Sequence, residues 1–414
     1  MDENKKIKIA VVEQRAGGGM IHYAYQLCTA LSKEGAEVTL VTSVHYELDN
    51  LPHNFKVNKL MRLWSQIDTL VYTSPRATLG KLYRKLFWNV RRIFRALQLI
   101  REWVRLTKYL LQFQPDVVQI GGLETIVETL FLLYWRYKGL VVSQICHEFE
   151  ERDAGNNLIV QLNNQLYESL YKSLPVIFVH GEVNKAKFLS IFDTPPERVH
   201  SIELGNQQIF QSVSNVKELK KNLEVKYNLN SGSKVILFFG NLTPSKGVPE
   251  LIEAFQYVYK GNPNAKLVIA GMPSKYVNMN DFINLANDLN FGESVIFDTR
   301  YIPMEEIEPM MELAEVAVFP YRTISQSAAL QVAYAFGKPV VATNTGGFVE
   351  SVEDGKSGFL VPVESPKDLA EAILRILNNA SLAKEMGAYA KHLSETRFAW
   401  GPIARKILSV YYAL

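Results

Sequence analysis

The amino-acid sequence predicts an α/β protein of two Rossmann-like doubly wound domains facing each other across a cleft. Three observations lead there. Short β-branched runs alternate with helical periods through the first half of the chain, and the same alternation restarts after a polar stretch at 206–230. Glycine-bearing turns follow several of the strands, where the loops at the carboxyl ends of a parallel sheet bind ligands.

Taken in order, 7–12 reads as the first strand, 20–33 as a helix and 37–42 as the second strand. Runs at 117–120, 139–146 and 176–179 continue the series as buried parallel strands. The second series comprises strands at 234–239, 265–270, 294–297, 316–319, 339–342 and 358–361. This organisation divides the chain into an N-terminal domain over 1–205 and a C-terminal domain over 206–399, with a last helix at 400–414. The opening MDENKKIKIAVVEQ is a charged head followed by a short apolar run, which fits a strand and not a signal peptide. No stretch approaches the roughly 20 apolar residues of a membrane span.

Of the 414 residues, 48 % are hydrophobic and 21 % charged, as in soluble globular proteins, and the net charge is only +3. Any attraction for anions must therefore come from local clustering. Cys28 and Cys146 are the only cysteines, too few for a disulfide framework and without metal-ligand spacing, so a cytoplasmic setting is expected. One cluster does stand out. From Arg76 to Gln112 there are ten basic residues against one acid, Glu102. Apolar residues recur there at helical spacing through Leu79, Leu82, Leu86, Val90, Ile93, Leu97, Ile100 and Val104. Such a helix suits an anionic membrane surface through Arg84, Arg91, Arg92 and Arg95, and equally suits a core-packed helix with a solvated basic face. No nucleic-acid motif accompanies it, and none is expected as a partner.

Gly17-Gly18-Gly19 lies between the first strand and its helix, where glycine lets a ligand approach the backbone. It is not a dinucleotide fingerprint: His22 occupies the third glycine position, and Thr42-Ser43 stand where a ribose-binding acid belongs. In FFGNLTPSKG, Lys246 lies on a loop after a strand, placed to neutralise a diphosphate. In FPYRTISQSAALQVAYAFGKPVVATNTGGFVE, a strand runs into a Ser/Thr/Gln loop and then a helix beginning near Ser327, with Ser325 or Ser327 as N-cap. The first turn of that helix would offer unpaired N–H groups to phosphate. His147, just after a strand in SQICHEFE, could hydrogen-bond a sugar; the alternative is a structural ring satisfied by backbone. Cys146 beside it belongs to the opposite strand face, which argues against a Cys–His nucleophile.

In order and spacing, the GGG loop, SQICHEFE, HSIELGNQQIF, FFGNLTPSKG, LVIAG, the Phe319–Glu350 stretch, DGKSGFLVPVESPKDLAEAI and FAWGPIARKILSVYYAL resemble the retaining glycosyltransferases of family 4, which have the GT-B fold. The resemblance covers most of the chain. It implies an N-terminal acceptor domain, a C-terminal domain for the nucleotide-diphosphate sugar, and a last helix returning to the N-terminal domain. By position it implies that Lys246 contacts the diphosphate, that Gln326, Ser327 and Ala328 supply phosphate-binding amides, that Gly18 and Gly19 line the donor phosphates, and that His147 reaches the transferred sugar. Departures are visible. Asn241 replaces the usual arginine of the lysine loop, and Thr323 and Gln331 stand at the two usual glutamates. Gln331 keeps hydrogen-bonding capacity for a ribose, and Ser325 and Gln326 could serve the sugar.

The expected activity is transfer of a sugar from a UDP- or GDP-linked donor to a lipid-linked or glycan acceptor at the cytosolic membrane face, with no cofactor beyond the donor itself. Lys246 and the helix start would stabilise the leaving diphosphate electrostatically. No DxD-like cluster occurs on a suitable loop, so no catalytic metal is expected; Glu150, Glu151 and Asp153 read as a solvated acidic loop. The competing expectations are a catalytically inactive nucleotide-binding or scaffold protein and, last, a sugar-nucleotide epimerase.

Overall fold

A computed structural model describes residues 6–63, 88–123, 125–149, 158–211, 215–291 and 293–414. The chain forms two compact units, Met1–Ile202 with Trp400–Leu414, and Glu203–Ala399. The described residues of each hold one parallel sheet whose inner strands are buried on both faces, the arrangement that β-branched runs without polar alternation require.

The sheet of the first unit contains β1 (Lys8–Glu13), β2 (Glu37–Ser43), β3 (Lys56–Met61), β4 (Val117–Ile120), β5 (Val142–Cys146), β6 (Val176–His180) and β7 (Val199–Ile202), in the order 3-2-1-4-5-6-7. Helices α1 (Gly19–Lys33), α2 (Trp88–Phe113), α3 (Ile126–Tyr137), α4 (Leu158–Ser173) and α5 (Glu182–Ile191) alternate with the strands. The chain leaves β1 toward one edge and returns to build the other, so the order reverses between β1 and β4. Two strands go beyond the sequence reading. β3 is a half-exposed edge, and β7, also an edge, is only four residues long. β5 begins at Val142 rather than 139, because Gly139 adopts φ 83° and closes α3 with its N–H on Arg136 O.

The second sheet contains β8 (Lys234–Phe239), β9 (Ala265–Ala270), β10 (Val295–Asp298), β11 (Ala314–Phe319), β12 (Val340–Thr343) and β13 (Gly358–Val361), in the order 10-9-8-11-12-13. Its reversal lies between β8 and β11. The helices are α6 (Val216–Lys226), α7 (Val248–Gly261), α8 (Met279–Asp288), α9 (Met304–Leu313), α10 (Ala328–Ala335), α11 (Phe348–Ser351), α12 (Pro366–Leu377) and α13 (Ala380–Glu395). The polar stretch read as a connection contains α6, whose sequence VKELKKNLEVK has only a narrow apolar row, Val216, Leu219 and Leu223, with Leu223 alone fully buried. The last helix, α14 (Trp400–Tyr412), packs in the first unit. It buries Ile403, Ala404, Ile407, Leu408 and Tyr411, donates from the Tyr411 hydroxyl to Gln119, and pairs Arg405 with Glu34 at 2.7 Å.

The described part of the basic region, from Trp88, forms one helix, and the apolar row read from the sequence is not its inward face; Leu79, Leu82, Leu86 and the side chain of Val90 lie outside the described residues. The anticipated apolar row is exposed in α2: Ile93 61 %, Leu97 57 %, Ile100 41 % and Val104 39 %, with Phe94 beside it. The buried row is Leu99, Trp103, Leu106 and Leu110. Two anchors set this rotation. Trp103 stacks on Trp135 at 5.3 Å, and Glu102, wholly buried, accepts from the Arg62 amide and pairs with Arg101 and Arg105. Arg84 and the side chain of Arg91 lie outside the described residues. Arg92 is exposed, whereas Arg95 is half-buried.

Burial alone would raise the Glu102 pKa, but the Arg62 amide and the two guanidinium groups outweigh it and hold the carboxyl below its usual range. A depressed folded-state pKa gives stability that is present above the unfolded value, about 4.3, and lost as pH falls through the folded value. Glu102→Gln is expected to cost about 1–3 kcal/mol at pH 7, with both arginines partly solvated. In urea unfolding, the gap between wild type and variant should narrow as pH falls below about 4.

Candidate active site

In the second unit the site is assembled where β8 and β11 lie side by side, and glycines make the assembly possible. Gly240 follows β8 and Gly271 follows β9; a Cβ on Gly271 would sit 1.9 Å from Gly240 O. The chain then makes a 3-10 turn, Pro244–Lys246, closed by Gly247 at φ 63°. A Cβ on Gly247 would lie 1.8 Å from Pro320 O, so this turn touches the segment leaving β11 backbone to backbone. The contact is fastened by the Arg322 amide on Ser245 O at 2.8 Å and by Arg322 Nε on Glu250 Oε1 at 2.6 Å. It places Lys246 Nζ 3.6 Å above the Tyr321 ring, a cation–π contact with a buried aromatic.

The next strand supplies the second clamp. A Cβ on Gly346, at φ 48°, would fall 1.7 Å from Ile324 O, and one on Gly347 would fall 2.3 Å from Ser325 O. The segment 320–327 is thus held from both sides and delivered into α10. Ser327 is the N-cap: its Oγ accepts from the Leu330 amide at 3.2 Å. The Tyr321 hydroxyl bonds Ser327, and burial pushes the phenol pKa upward, so it stays protonated. The amides of Ala328 and Ala329 fall in the first turn, where no helical carbonyl can accept from them. One turn on, the side chain of Gln331 is wholly buried, and neither amide atom has a hydrogen-bond partner among the described residues.

The structure brings together most of the residues read from the sequence. Lys246, Ser325, Ser327, Ala328 and Gln331 share this sheet edge, while Asn241 is exposed on the turn before Lys246. Gln326 differs in part: its side chain braces Gly347 and accepts from Ser351 Oγ at 3.4 Å, which leaves its main chain as the ligand-facing group. Tyr321, Arg322, Glu250 and Gly271 were not singled out, although each holds the lysine turn against the helix start. Only the Pro-Tyr-Arg run after a strand hinted at it.

In the first unit the comparable place is the carboxyl edge of β1 and β4. Gly18, at φ 83°, precedes α1, but its N–H is already taken by Glu47 Oε2 at 2.8 Å, with His22 Nε2 3.4 Å from the same oxygen. Of the two glycines assigned to donor phosphates, Gly19 alone keeps an amide clear of that carboxylate. His147 follows β5 and meets His180, the last residue of β6, with Nδ1 3.0 Å from Nε2. Tyr23 packs edge-on against both rings, at 4.6 and 5.7 Å, and Trp400 of α14 backs Tyr23 at 5.0 Å. Burial, then His180 and Arg15, hold the His147 pKa well below the usual value, so the imidazole is neutral at pH 7. Cys146 turns away, its Sγ 4.0 Å from the Tyr171 hydroxyl, and burial pushes the thiol up to about 12; it is no nucleophile. Glu150, Glu151 and Asp153 lie outside the described residues. Among the described residues, no group of three His, Cys, Asp or Glu is placed to hold a metal.

A parallel sheet with a lysine turn and a capped helix at its switch point is the kind of arrangement at which α/β folds receive anionic ligands. The family described as Glycosyl transferases group 1 matches residues 219–393, which spans that site. The chain is 29 % identical over 246 residues to an uncharacterised glycosyltransferase of Methanocaldococcus jannaschii, covering 59 % of this chain and 61 % of that one. It is 25 % identical over 248 residues to D-inositol 3-phosphate glycosyltransferase of Corynebacterium glutamicum, covering 59 % and 58 %. The chain thus spans about three-fifths of the length of these curated relatives. Anabaena HepE, solved in complex with UDP-glucose, superposes with a TM-score of 0.71 over 99 % of this chain and 100 % of its own, at 16 % identity. The chain therefore has the two Rossmann-like units of GT-B glycosyltransferase structures.

Because φ values of 63° and 48° favour glycine, and a Cβ would strike a carbonyl, Gly247→Ala and Gly346→Ala are each expected to lower stability by about 2–4 kcal/mol. Thermal unfolding checks this. Gly355→Ala is the control: it has positive φ but open space, and should cost about 1 kcal/mol.

Proposed function

We propose that this protein is a glycosyltransferase that takes a sugar from a UDP- or GDP-linked donor and passes it, with retention of configuration, to a lipid-linked or glycan acceptor at an anionic membrane surface. The observation that carries the donor reading is Gln331: a buried, unpartnered amide beside an open helix start and a clamped lysine. An unsatisfied buried amide costs about 1–3 kcal/mol, and a ligand that bonds it recovers that energy. A nucleotide diphosphate has the matching parts. Its phosphates would accept from the Ala328 and Ala329 amides and Lys246, and a sugar hydroxyl of the nucleoside can both give and take a hydrogen bond at Gln331. As the bond to the transferred sugar breaks, charge grows on the leaving diphosphate, where Lys246 and the helix start already stand. The group 1 match and the UDP-glucose complex of HepE support this reading.

The membrane reading rests on α2. Among the described residues its outer face combines Ile93, Phe94, Leu97, Ile100 and Val104 with exposed Arg92, Arg101 and Lys108. An apolar stripe flanked by cations suits an anionic interface, each basic residue contributing about 1 kcal/mol. No helix of the described residues is long and apolar enough to cross a membrane.

Two experiments test these statements. In thermal shift measurements, one nucleotide family should stabilise the protein by about 2.7 kcal/mol at 100-fold its Kd, and Lys246→Ala should abolish the shift. Absence of a shift with any UDP-, GDP- or ADP-linked compound would overturn the donor reading. In sedimentation with vesicles, binding should appear with phosphatidylserine and not with phosphatidylcholine alone. Reversing Arg92, Arg101 and Lys108 to Glu should weaken it by about 100-fold or more.

A further inference from the structure

The outward face of α2 continues onto its neighbour, α3. Both helices return the chain between parallel strands and so run in the same direction. They are joined through Trp103, which meets Phe131 at 5.7 Å and Trp135 at 5.3 Å, and through the Trp135 indole N–H, which donates to Thr107 Oγ1 at 2.8 Å. At about 3.6 residues per turn, Ile100, Val104 and Leu111 lie on the flank of α2 next to Trp103 and Thr107, turned outward from the core row. Tyr134 lies likewise on the flank of α3 next to Phe131. The two outward rows therefore meet along the seam between the helices. On α3 that row is Leu130, Tyr134 and Tyr137, all exposed, the last at 82 %. Charge is sorted between the same two faces. Glu102 is the only acid in α2 and Glu128 the only acid in α3, and both side chains are buried. Arg136 turns its guanidinium to the carbonyls of Leu140 and Ser173. Lys138 ends the α3 row, its Nζ 5.5 Å from the Tyr134 ring centroid and 5.6 Å from that of Tyr137. No acid of either helix faces solvent.

We infer that α2 and α3 form one contact face for an anionic lipid surface, in which Tyr134 and Tyr137 are aromatic anchors at the level of the headgroups. The inference rests on the membrane reading of α2 and adds to it a second helix and a single orientation. A contiguous apolar patch across two helices asks for a partner that covers it. Two copies of this face could not cover each other well, since Arg101, Lys108 and Lys138 would meet cations with no acid to answer them. An anionic bilayer matches both properties. Acyl chains receive Ile100, Val104 and Leu130, and lipid phosphates receive the cations. A tyrosine, with its apolar ring and polar tip, belongs where those two layers meet. One amphipathic helix alone can roll about its axis on a membrane. Two parallel helices joined through Trp103 and Trp135 cannot, so the first unit meets the lipid one way round.

The test uses the full chain and vesicles of phosphatidylcholine, alone or mixed with phosphatidylserine. The triple variant Leu130→Ser, Tyr134→Ser, Tyr137→Ser changes exposed positions only, so thermal unfolding should stay near wild type. Its sedimentation with phosphatidylserine vesicles should weaken by about tenfold or more. A second measurement keeps the anchors' neighbours intact. Cys28 and Cys146 are both buried, so Tyr137→Cys can be labelled alone with an environment-sensitive fluorophore. Its emission should move to shorter wavelength on phosphatidylserine vesicles. The same label on Tyr412→Cys should not respond: Tyr412 is exposed on α14, which reaches the sheet through Gln119, whereas Trp103 packs with Val118 and Ile120 on the other face. Weakened binding together with the emission shift supports the inference. Unchanged binding in the triple variant, or an unshifted Tyr137→Cys label on vesicle-bound protein, overturns it. If reversal of Arg92, Arg101 and Lys108 still abolishes binding in that case, the α2 reading stands. No binding of wild type to phosphatidylserine vesicles overturns both. A concentration-dependent dimer that the triple variant disperses, with vesicle binding unchanged, would assign the face to a second copy and overturn the inference as well.

Discussion

At the carboxyl edge of the second sheet, main-chain segments pass closer together than any Cβ would permit. Gly271 against Gly240, Gly247 against Pro320, and Gly346 and Gly347 against Ile324 and Ser325 form a chain of such approaches across four strands. Everything chemical in that unit depends on them. Lys246 has a fixed position because Gly247 lets its turn rest on Pro320, and the α10 start has one because the 324–325 carbonyls are gripped by the 346–347 turn. The two clamps act on the same short segment. A cation and a set of open amides therefore stay in register without any direct bond between them, and reorganise little when charge arrives.

The two units handle polarity in contrasting ways. In the second unit, positive charge is half-buried and clamped, and the buried group is a neutral amide, Gln331. In the first, the Gly18 amide before the helix is already bonded to Glu47, and the buried groups are the side chains of Glu13, Tyr23, His147 and His180. A loop whose amide is already held by an internal carboxylate has little affinity left for phosphate. Glycine-rich turns after a first strand look alike in sequence; what separates an anion site from a filled one here is Glu47, nearly thirty residues away.

Much of this was legible in the sequence, and the gaps have physical causes. Strands buried on both faces announce themselves by unbroken β-branched runs, so β8, β9 and β13 match their expected limits. Edge strands β3 and β7 do not, since half their residues face solvent or the run is too short to show a pattern. Ser327 was legible as a cap because the Ser/Thr/Gln loop precedes an apolar helix. Glu13 was not, because an acid at the end of a strand is usually solvated, and only the glycine at 121, more than a hundred residues on, makes space to bury it. In α2 the spacing of the expected apolar row was legible, but whether the row faced the core or the outside was not. Two apolar rows coexist in that helix, and the choice between them falls to Glu102, which must stay with Arg62, Arg101 and Arg105 once buried.

The α2 rotation also bears on the first-unit site. With Glu102 and Trp103 turned inward, the Trp103 indole N–H reaches Gln14 Oε1 at 3.3 Å, and Gln14 in turn donates to Glu128 Oε1 at 2.8 Å. The other oxygen of Glu128 accepts from the Thr125 amide at the start of α3. Gln14 is the immediate neighbour of Glu13, so the helix that shows an apolar and basic face outward holds, on its inner face, the residue next to the buried carboxylate. A rotation of α2 that hid Ile93 and Leu97 would withdraw Trp103 from the half-buried Gln14 and lose that hydrogen bond, at about 1 kcal/mol. The exposed stripe is thus a consequence of how the inner face is tied to the sheet, and it persists for that reason even though exposed apolar side chains are unfavourable in water.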